Sequence, residues 1–242
     1  FDCVCERCAP IPPDKVGTDP CRGFRCSNCG AFAVFHPLVF EEGQGLQGIA
    51  CKKCGAKVSA AEAKKMLEAE EALEAELKKI DAAVEERRSI QKVLKEADAK
   101  RLLALTSSAE GNGVVGPQHW LCDRLWEHLE NWNKQAGRWQ DELHFLDLRT
   151  DYQRKAYFPG PSGTLAWTLE HQADRMLEML GHGPRSKEVQ ASQEVRREMG
   201  SRLVPILQES ASILRLMFGS NHEYYLAVQS KITIAKAFVL GL

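Results

Sequence analysis

Residues 59–105 carry apolar and charged positions with the period of an α-helix, and the segment contains no Gly or Pro. Its apolar positions are spaced seven, four, three and four residues apart and are Met66, Leu73, Leu77, Ile80 and Val84. This pattern predicts one long helix with a single apolar seam. Ser59, followed three residues later by Glu62, has the form of a capping box, which begins a helix.

Two interpretations of this seam compete. It could join two copies of the protein as a coiled coil, giving a homodimer through the long helix, or it could pack antiparallel within one chain. The seam decays after Val84, where Arg87 and Gln91 take the next positions. Because sustained coiled coils usually need three or four clean heptads, packing within one chain is favoured.

The remaining pattern predicts more helices joined by short turns. The helices are residues 119–135, 138–158, 164–180, 186–218, bent at Pro205, and a last one ending near 240. Successive helices with short turns must be antiparallel neighbours, so we expect a mainly α fold built as an antiparallel helical-hairpin array. Because no 34-residue period emerges, the array is called tetratricopeptide-like and not a true tetratricopeptide repeat.

Composition narrows the class of protein. The 242 residues include 32 basic and 33 acidic side chains, with a net charge of −1. This balance gives no strong nucleic-acid signal. No apolar run is long enough to span a bilayer, and no signal sequence is seen, so we expect an intracellular protein, cytoplasmic or nuclear, without a membrane partner.

Eight of the nine cysteines lie within the first 54 residues. Six of them form Cys-x-x-Cys pairs: Cys5 with Cys8, Cys26 with Cys29, and Cys51 with Cys54. Pairs at this spacing readily place two thiolates on one tetrahedral metal but rarely close a structural disulfide on each other. A zinc-binding amino-terminal region is therefore favoured over a disulfide scaffold.

The second and third pairs fit a zinc ribbon. In each, a glycine follows the second cysteine (Gly30 and Gly55), and 21 residues separate Cys29 from Cys51. Apolar residues 31–35 and 48–50 are expected as short strands beside the metal. Ribbons bind nucleic acid, bind protein or hold a loop, and the last is favoured here. With four cysteines available, His36 is interpreted as an ordinary loop histidine.

The first cluster is incomplete. Phe1-Asp2-Cys3-Val4-Cys5-Glu6-Arg7-Cys8 offers three thiolates, whereas a structural zinc takes four ligands. The fourth ligand is then Cys21 or a residue preceding Phe1. The chain therefore reads as the carboxy-terminal portion of a longer protein.

The pattern Phe1-x-Cys3-x-Cys5-x-x-Cys8 resembles the post-SET motif of SET-domain protein lysine methyltransferases, especially the SET-and-MYND family. The resemblance implies a helical carboxy-terminal domain and a fourth zinc ligand from an Asn-His-Ser-Cys-type motif of the upstream SET domain. It also places Phe1 against S-adenosylmethionine, and it implies that the SET core transfers a methyl group from this cofactor to a protein substrate lysine. Cys21 departs from the family pattern. Some protist members serve the parasite apical complex, but no motif here identifies that group.

These expectations divide the chain into five segments: a post-SET motif (1–20), a zinc ribbon (21–58), a long helix (59–105), a loop (106–116) and a helical domain (117–242). They imply two zinc sites and no catalytic residue in the chain itself. The alternative is a non-enzymatic adaptor that binds a protein partner or homodimerises. A ring-type ubiquitin ligase is disfavoured because the cysteine order lacks a His-containing ligand pair.

Other chemically active side chains receive structural interpretations. Cys122 is expected to be buried, and the five tryptophans (Trp120, Trp126, Trp132, Trp139 and Trp167) are expected in the core. The carboxylates of Glu68, Glu70, Glu71 and Glu74 are expected on a solvated helix face. Surface or capping roles are expected for His119, His128, His144, His171, His182 and His222.

Overall fold

A computed structural model describes residues 18–37, 45–86, 89–106, 113–156, 160–182 and 192–239. Over these ranges the elements are β1 (Thr18–Phe24), β2 (Val34–Pro37), α1 (Ala60–Glu85), α2 (Ile90–Val93), α3 (Glu96–Leu105), α4 (Trp120–Gln135), α5 (Trp139–Ala156), α6 (Gly163–Met179), α7 (Gln193–Phe218) and α8 (Glu223–Val239). The fold is mainly α with a small antiparallel sheet, which confirms the expected fold class.

The chain divides into two compact units. The first comprises the described residues of Phe1–Arg88 and Val93–Leu125, and the second comprises those of Ser89–Lys92 and Trp126–Leu242. No helix in the described ranges is both long and apolar enough to cross a membrane.

In the first unit, β1 and β2 pair antiparallel, with Phe24 opposite Val34 and Gly23 opposite Phe35. A Cβ on Gly23 would lie 3.0 Å from the Phe35 ring, so a larger residue at this position would push against that ring. The buried residues of this end of the unit form one core with the start of α1: Phe24, Cys26, Val34, Leu46, Cys51, Val58, Ala63 and Met66. Strand β1, which contains Cys21, was not predicted.

Helix α1 begins as the sequence predicts. The Glu62 N–H donates to Ser59 Oγ at 3.3 Å, and the Ser59 N–H donates to Glu62 Oε2 at 2.8 Å, which completes the capping box. Four seam residues, Met66, Leu73, Leu77 and Ile80, are buried, whereas Val84 is 40% exposed. These burial values favour packing of the seam within one chain.

The prediction of one helix over residues 59–105 is wrong, because α1 ends at Glu85 and α2 and α3 follow as separate helices. A straight helix of that length would extend roughly 70 Å and leave its second half without a core. Instead α3 packs on α1, with Arg101 Nη2 lying 2.8 Å from Glu76 Oε2. Packing of α3 on α1 buries Ala99 and Leu102. Burial of these apolar side chains stabilises the break between the helices, so no Gly or Pro is required there.

Glu70 is a second correction, because its side chain is buried rather than solvated. It lies on the seam, between Met66 and Leu73. Arg22 of β1 donates to both of its oxygens at 2.7 Å through Nε and Nη2, and His119 Nε2 lies 3.1 Å from Oε1. Burial alone would raise the pKa of Glu70, but His119 and Arg22 outweigh it and lower the pKa to about 2.

The second unit is the expected array of helical hairpins. Ser210 Oγ donates to the Ala166 carbonyl, and Arg196 Nη2 donates to the Leu180 carbonyl, both at 3.0 Å. Contacts that pair the end of one helix with the start of the other show that α6 and α7 run antiparallel. The predicted ends agree with the structure within a few residues, except that α7 begins at Gln193; residues 183–191 lie outside the described ranges.

The core of the second unit is formed mainly by α6, α7 and α8. Its buried members include Leu169, Ala173 and Met176 of α6, Leu203, Leu207 and Leu214 of α7, and Val228, Ile232 and Ala235 of α8. Helix α7 continues through Pro205, which is exposed.

The structure corrects some aromatic assignments. Trp126 is buried as expected, but Trp120 and Trp167 are 40% and 39% exposed. They lie at or near the first turns of α4 and α6, where one side of each helix faces solvent. Helical spacing alone does not separate these positions from core positions.

The histidine assignments are partly wrong. His119 and His222 have the capping role that the sequence predicted, because Nδ1 of each accepts the N–H of the residue two positions later. His119 is nevertheless fully buried, and His128 is buried as well, so neither is a surface residue. Cys122 is buried as predicted, and its Sγ donates to the Gly116 carbonyl at 3.1 Å.

Replacing Glu70 tests the buried ion pairs. A pKa lowered from 4.5 to about 2 corresponds to about 3 kcal/mol of stabilisation. Because the folded-state pKa is lowered, this stabilisation is present above pH 4.5 and is lost as the pH falls toward 2. In Glu70→Gln at pH 7, we expect α1 amides to exchange hydrogen roughly 100-fold faster. Glu71→Gln, on the exposed face, is the control, and an equal effect in both variants would contradict the assignment.

Candidate metal centre

Two turns with the same backbone hydrogen-bond pattern carry the four ribbon cysteines. The Cys26 N–H donates to the Ala31 carbonyl and the Gly30 N–H donates back to the Cys26 carbonyl, both at 2.8 Å. The second turn repeats this with Cys51, Ala56 and Gly55, at 2.9 Å for both bonds.

Both glycines need a positive φ, 69° at Gly30 and 74° at Gly55, which other residues rarely adopt. This requirement explains why a glycine follows each Cys-x-x-Cys pair. The two turns are joined by a bond at 2.8 Å from the Lys52 N–H to the Ala33 carbonyl.

The four sulfur atoms converge on one point. Cys26 Sγ lies 3.7 Å from Cys54 Sγ, and Cys29 Sγ lies 3.8 Å from Cys51 Sγ. All four lie within 4.8 Å of one another. A tetrahedral zinc with Zn–S bonds of about 2.3 Å requires an S–S edge of about 3.8 Å. The four cysteines therefore can hold a zinc ion, and their chemistry as soft thiolate donors suits zinc.

The surroundings shift the pKa values of Cys54 and Cys29 in opposite directions. The Asn28 amide donates to Cys54 Sγ at 3.5 Å and, together with the Ala56 N–H, lowers the pKa of Cys54 to about 6. At Cys29 the Ala31 N–H lowers the pKa, but burial and the neighbouring thiols outweigh it and raise the pKa to about 11. A bound cation would favour deprotonation of all four.

A side-chain contact connects the first turn to α1. Ser27, between Cys26 and Cys29, donates its hydroxyl to Glu62 Oε1, while Glu62 Oε2 closes the capping box on Ser59. One carboxylate therefore joins the metal-binding turn to the start of the helix. The capping box is predictable from the sequence, but the contact between Ser27 and Glu62 is not, because these two residues are 35 positions apart.

The other predicted ligands are not part of this group. Cys21 lies in β1, where its N–H donates to Asp19 Oδ1 at 2.8 Å, and it does not join the four-cysteine cluster. Cys3, Cys5 and Cys8, and with them Phe1, lie outside the described residues. Within the described ranges the four ribbon cysteines are the one group of three or more His, Cys, Asp or Glu side chains placed to hold a metal.

His36 is not part of the four-cysteine group, in agreement with the prediction that it is not a ligand. The prediction that it lies in a loop is wrong. It lies in β2, almost completely buried, and its Nδ1 is 3.0 Å from the Pro37 carbonyl. Burial lowers the pKa of His36, so its neutral form is favoured near pH 7.

No protein-family model matches the sequence, and no curated protein matches it significantly. The metal centre is therefore assigned from its own geometry: four cysteines, two equivalent turns and tetrahedral spacing.

Cobalt substitution can test the ligand set. The chain loaded with Co²⁺ should show the absorption of a tetrahedral tetrathiolate complex, because cobalt occupies zinc sites with the same ligands. Cys29→Ser should weaken metal retention in this site at least tenfold in competition with a chelator. Cys122→Ser, which keeps a buried donor to Gly116, should retain the signal. An unchanged spectrum in Cys29→Ser would contradict the assignment.

Metal removal should also affect helix α1. Because Ser27 contacts Glu62, a chelator should accelerate hydrogen exchange at the amides of residues 60–66. Amides in the middle of α7, in the other unit, should keep their protection and serve as the internal reference. Equal acceleration in both helices would indicate global unfolding instead of local coupling.

Proposed function

We propose that this chain is the zinc-stabilised carboxy-terminal region of a SET-and-MYND-like protein lysine methyltransferase. The observation that carries the proposal is the order of its parts: the Phe1–Cys8 motif, then the four-cysteine centre, then the helical-hairpin array. The resemblance of the motif supplies the activity, and the metal centre and helices are compatible with it.

In this proposal the residues of the chain bind zinc and the cofactor and shape the access of the substrate. None of them takes part in the methyl transfer itself. Cys3, Cys5 and Cys8 would hold a first zinc, with the fourth ligand from Cys21 or from the SET domain. Phe1 would contact S-adenosylmethionine, the methyl donor, and the helical domain would restrict which protein lysines reach the SET core. Zinc held by free thiolates suits a reducing compartment, the cytoplasm or the nucleus.

The alternative is a non-enzymatic adaptor. One observation favours it: Trp167, Phe218 and Tyr224 form an aromatic cluster, each about 40% exposed, with Trp167 and Tyr224 rings 4.9 Å apart. Exposed aromatic groups are enriched where proteins bind partners. Homodimerisation through α1 has less support, since most of its seam is buried within the chain.

The two proposals differ in what precedes Phe1. If the methyltransferase proposal is right, the coding sequence upstream should contain an Asn-His-Ser-Cys-type motif. The longer protein should then transfer labelled methyl groups from S-adenosylmethionine to a protein lysine, and residues 1–242 alone should not. In the longer protein, Cys5→Ser should lower the rate at least tenfold, because a zinc ligand beside the cofactor is lost.

Cys122→Ser in the longer protein is the matched control and should keep full activity, because this buried cysteine is not among the predicted zinc ligands and serine keeps its donor to the Gly116 carbonyl. An unrelated upstream sequence, or a longer protein that does not bind S-adenosylmethionine, would overturn the methyltransferase proposal and leave the adaptor.

A further inference from the structure

A cavity of about 430 Å³ in the second unit is lined by residues of α5, α6 and α7. Two ion pairs connect α5 to α7 beside it: Asp147 with Arg202, and Arg154 with Glu209 at 2.7 Å. The pairs are seven residues apart on both helices, so the space between them is about 10 Å long. This volume is in the range of small-ligand sites. The zinc centre and the proposed methyltransferase role use none of these residues.

Gln172 of α6 lines the cavity and is 2% exposed. Its Nε2 donates to Asp147 Oδ1. Because a carboxylate only accepts hydrogen bonds, the amide nitrogen must face Asp147, and the amide oxygen is left over. Among the described residues, Gln172 Oε1 has no hydrogen-bond partner. A buried acceptor without a partner costs free energy, which a ligand that donates a hydrogen bond would restore.

Further polar groups of the lining also act as acceptors. Thr150 Oγ1 donates its proton to the Asp147 carbonyl at 2.9 Å. Ser201 Oγ donates its proton to the Glu198 carbonyl at 2.7 Å. Each hydroxyl has a single proton, so both oxygens offer a ligand only lone pairs. Pro205 has no N–H, so the Ser201 carbonyl also lacks the helical bond from the residue four positions later.

The charges beside the cavity favour a cation. Both guanidinium groups of the lining are paired with two carboxylates each: Arg154 with Asp151 and Glu209, and Arg202 with Asp147 and Glu198. Four carboxylates thus surround two guanidinium groups, which leaves an excess of two negative charges. The side chain of Asp151 is 67% exposed, so part of this excess faces solvent where a ligand would enter.

We propose that this cavity binds a primary ammonium group on an aliphatic chain, as a free polyamine or a lysine side chain carries. An ammonium has three donors and no acceptor, which matches Gln172 Oε1 and the Ser201 carbonyl. The aliphatic chain would lie against Pro205 and Ile206, the apolar residues of the lining. The proposal is independent of the methyltransferase role.

Calorimetric titration tests the site and separates the two sources of the ammonium. The zinc-loaded chain is titrated at physiological ionic strength with spermidine and, separately, with Nα-acetyl-lysine amide. At least one ligand should bind with a Kd below about 1 mM. Tighter binding of spermidine would assign the site to a free polyamine, and tighter binding of the lysine amide would assign it to a lysine side chain. Weaker binding than this by both ligands would overturn the proposal.

Two variants change the acceptors. Pro205→Ala supplies an N–H to the Ser201 carbonyl, so it should preserve or stabilise α7 while weakening binding roughly fivefold. Gln172→Met removes the amide oxygen at similar volume and should weaken binding roughly tenfold. Because Pro205→Ala restores a helical bond, it decides the proposal even if Gln172→Met folds poorly. Unchanged affinity in Pro205→Ala, or in a folded Gln172→Met, would overturn the proposal.

A matched pair of variants separates the site from general attraction to an acidic surface. Asp151→Asn removes one charge from the lining and should weaken binding roughly threefold. Asp141→Asn makes the same change at an exposed position of α5 outside the lining and should leave the affinity unchanged. An equal loss in both variants would show non-specific counterion binding and would contradict the assignment.

Discussion

Convergence of four cysteine sulfurs on one point is the constraint on which the amino-terminal part of the described structure depends. Two short strands and two turns offer only a small apolar core, centred on Phe24, Val34 and Leu46. Segments of this size usually need a metal or cross-links to remain folded. A cation bound by all four thiolates would hold each turn from both sides, and the Ser27–Glu62 contact would transmit that rigidity to α1.

A second constraint is electrostatic. Glu70 places a charge in the apolar seam of α1, and a charge there is tolerable only with partners. Arg22 arrives from β1 and His119 from the start of α4, so three separated parts of the first unit meet at one carboxylate. Burial of this kind adds specificity: a shifted α1 would leave a charge unpaired, whereas a shifted Leu or Met would merely repack.

Local signals predicted the parts of this structure that depend on local geometry. The Cys-x-x-Cys-Gly spacing gave both turns, because glycine fits the positive φ that follows each pair, and Ser59 with Glu62 gave the start of α1. Contacts between distant residues were missed. The burial of Glu70 depends on Arg22, 48 positions away, and the Gln172–Asp147 contact spans 25 positions. The break after α1 carries no Gly or Pro, since tertiary packing determines it.

Unequal exposure of the four cysteines has a kinetic consequence for a bound metal. Cys26 and Cys51 are buried, Cys29 is intermediate, and Cys54 is exposed. Among the described residues, Cys54 offers a competing thiol or chelator the most exposed approach to the ion, so it becomes the first ligand to be displaced. The two buried sulfurs retain the ion meanwhile. Metal exchange would then proceed through a ternary complex with the incoming ligand, so its rate should depend on that ligand's size and concentration.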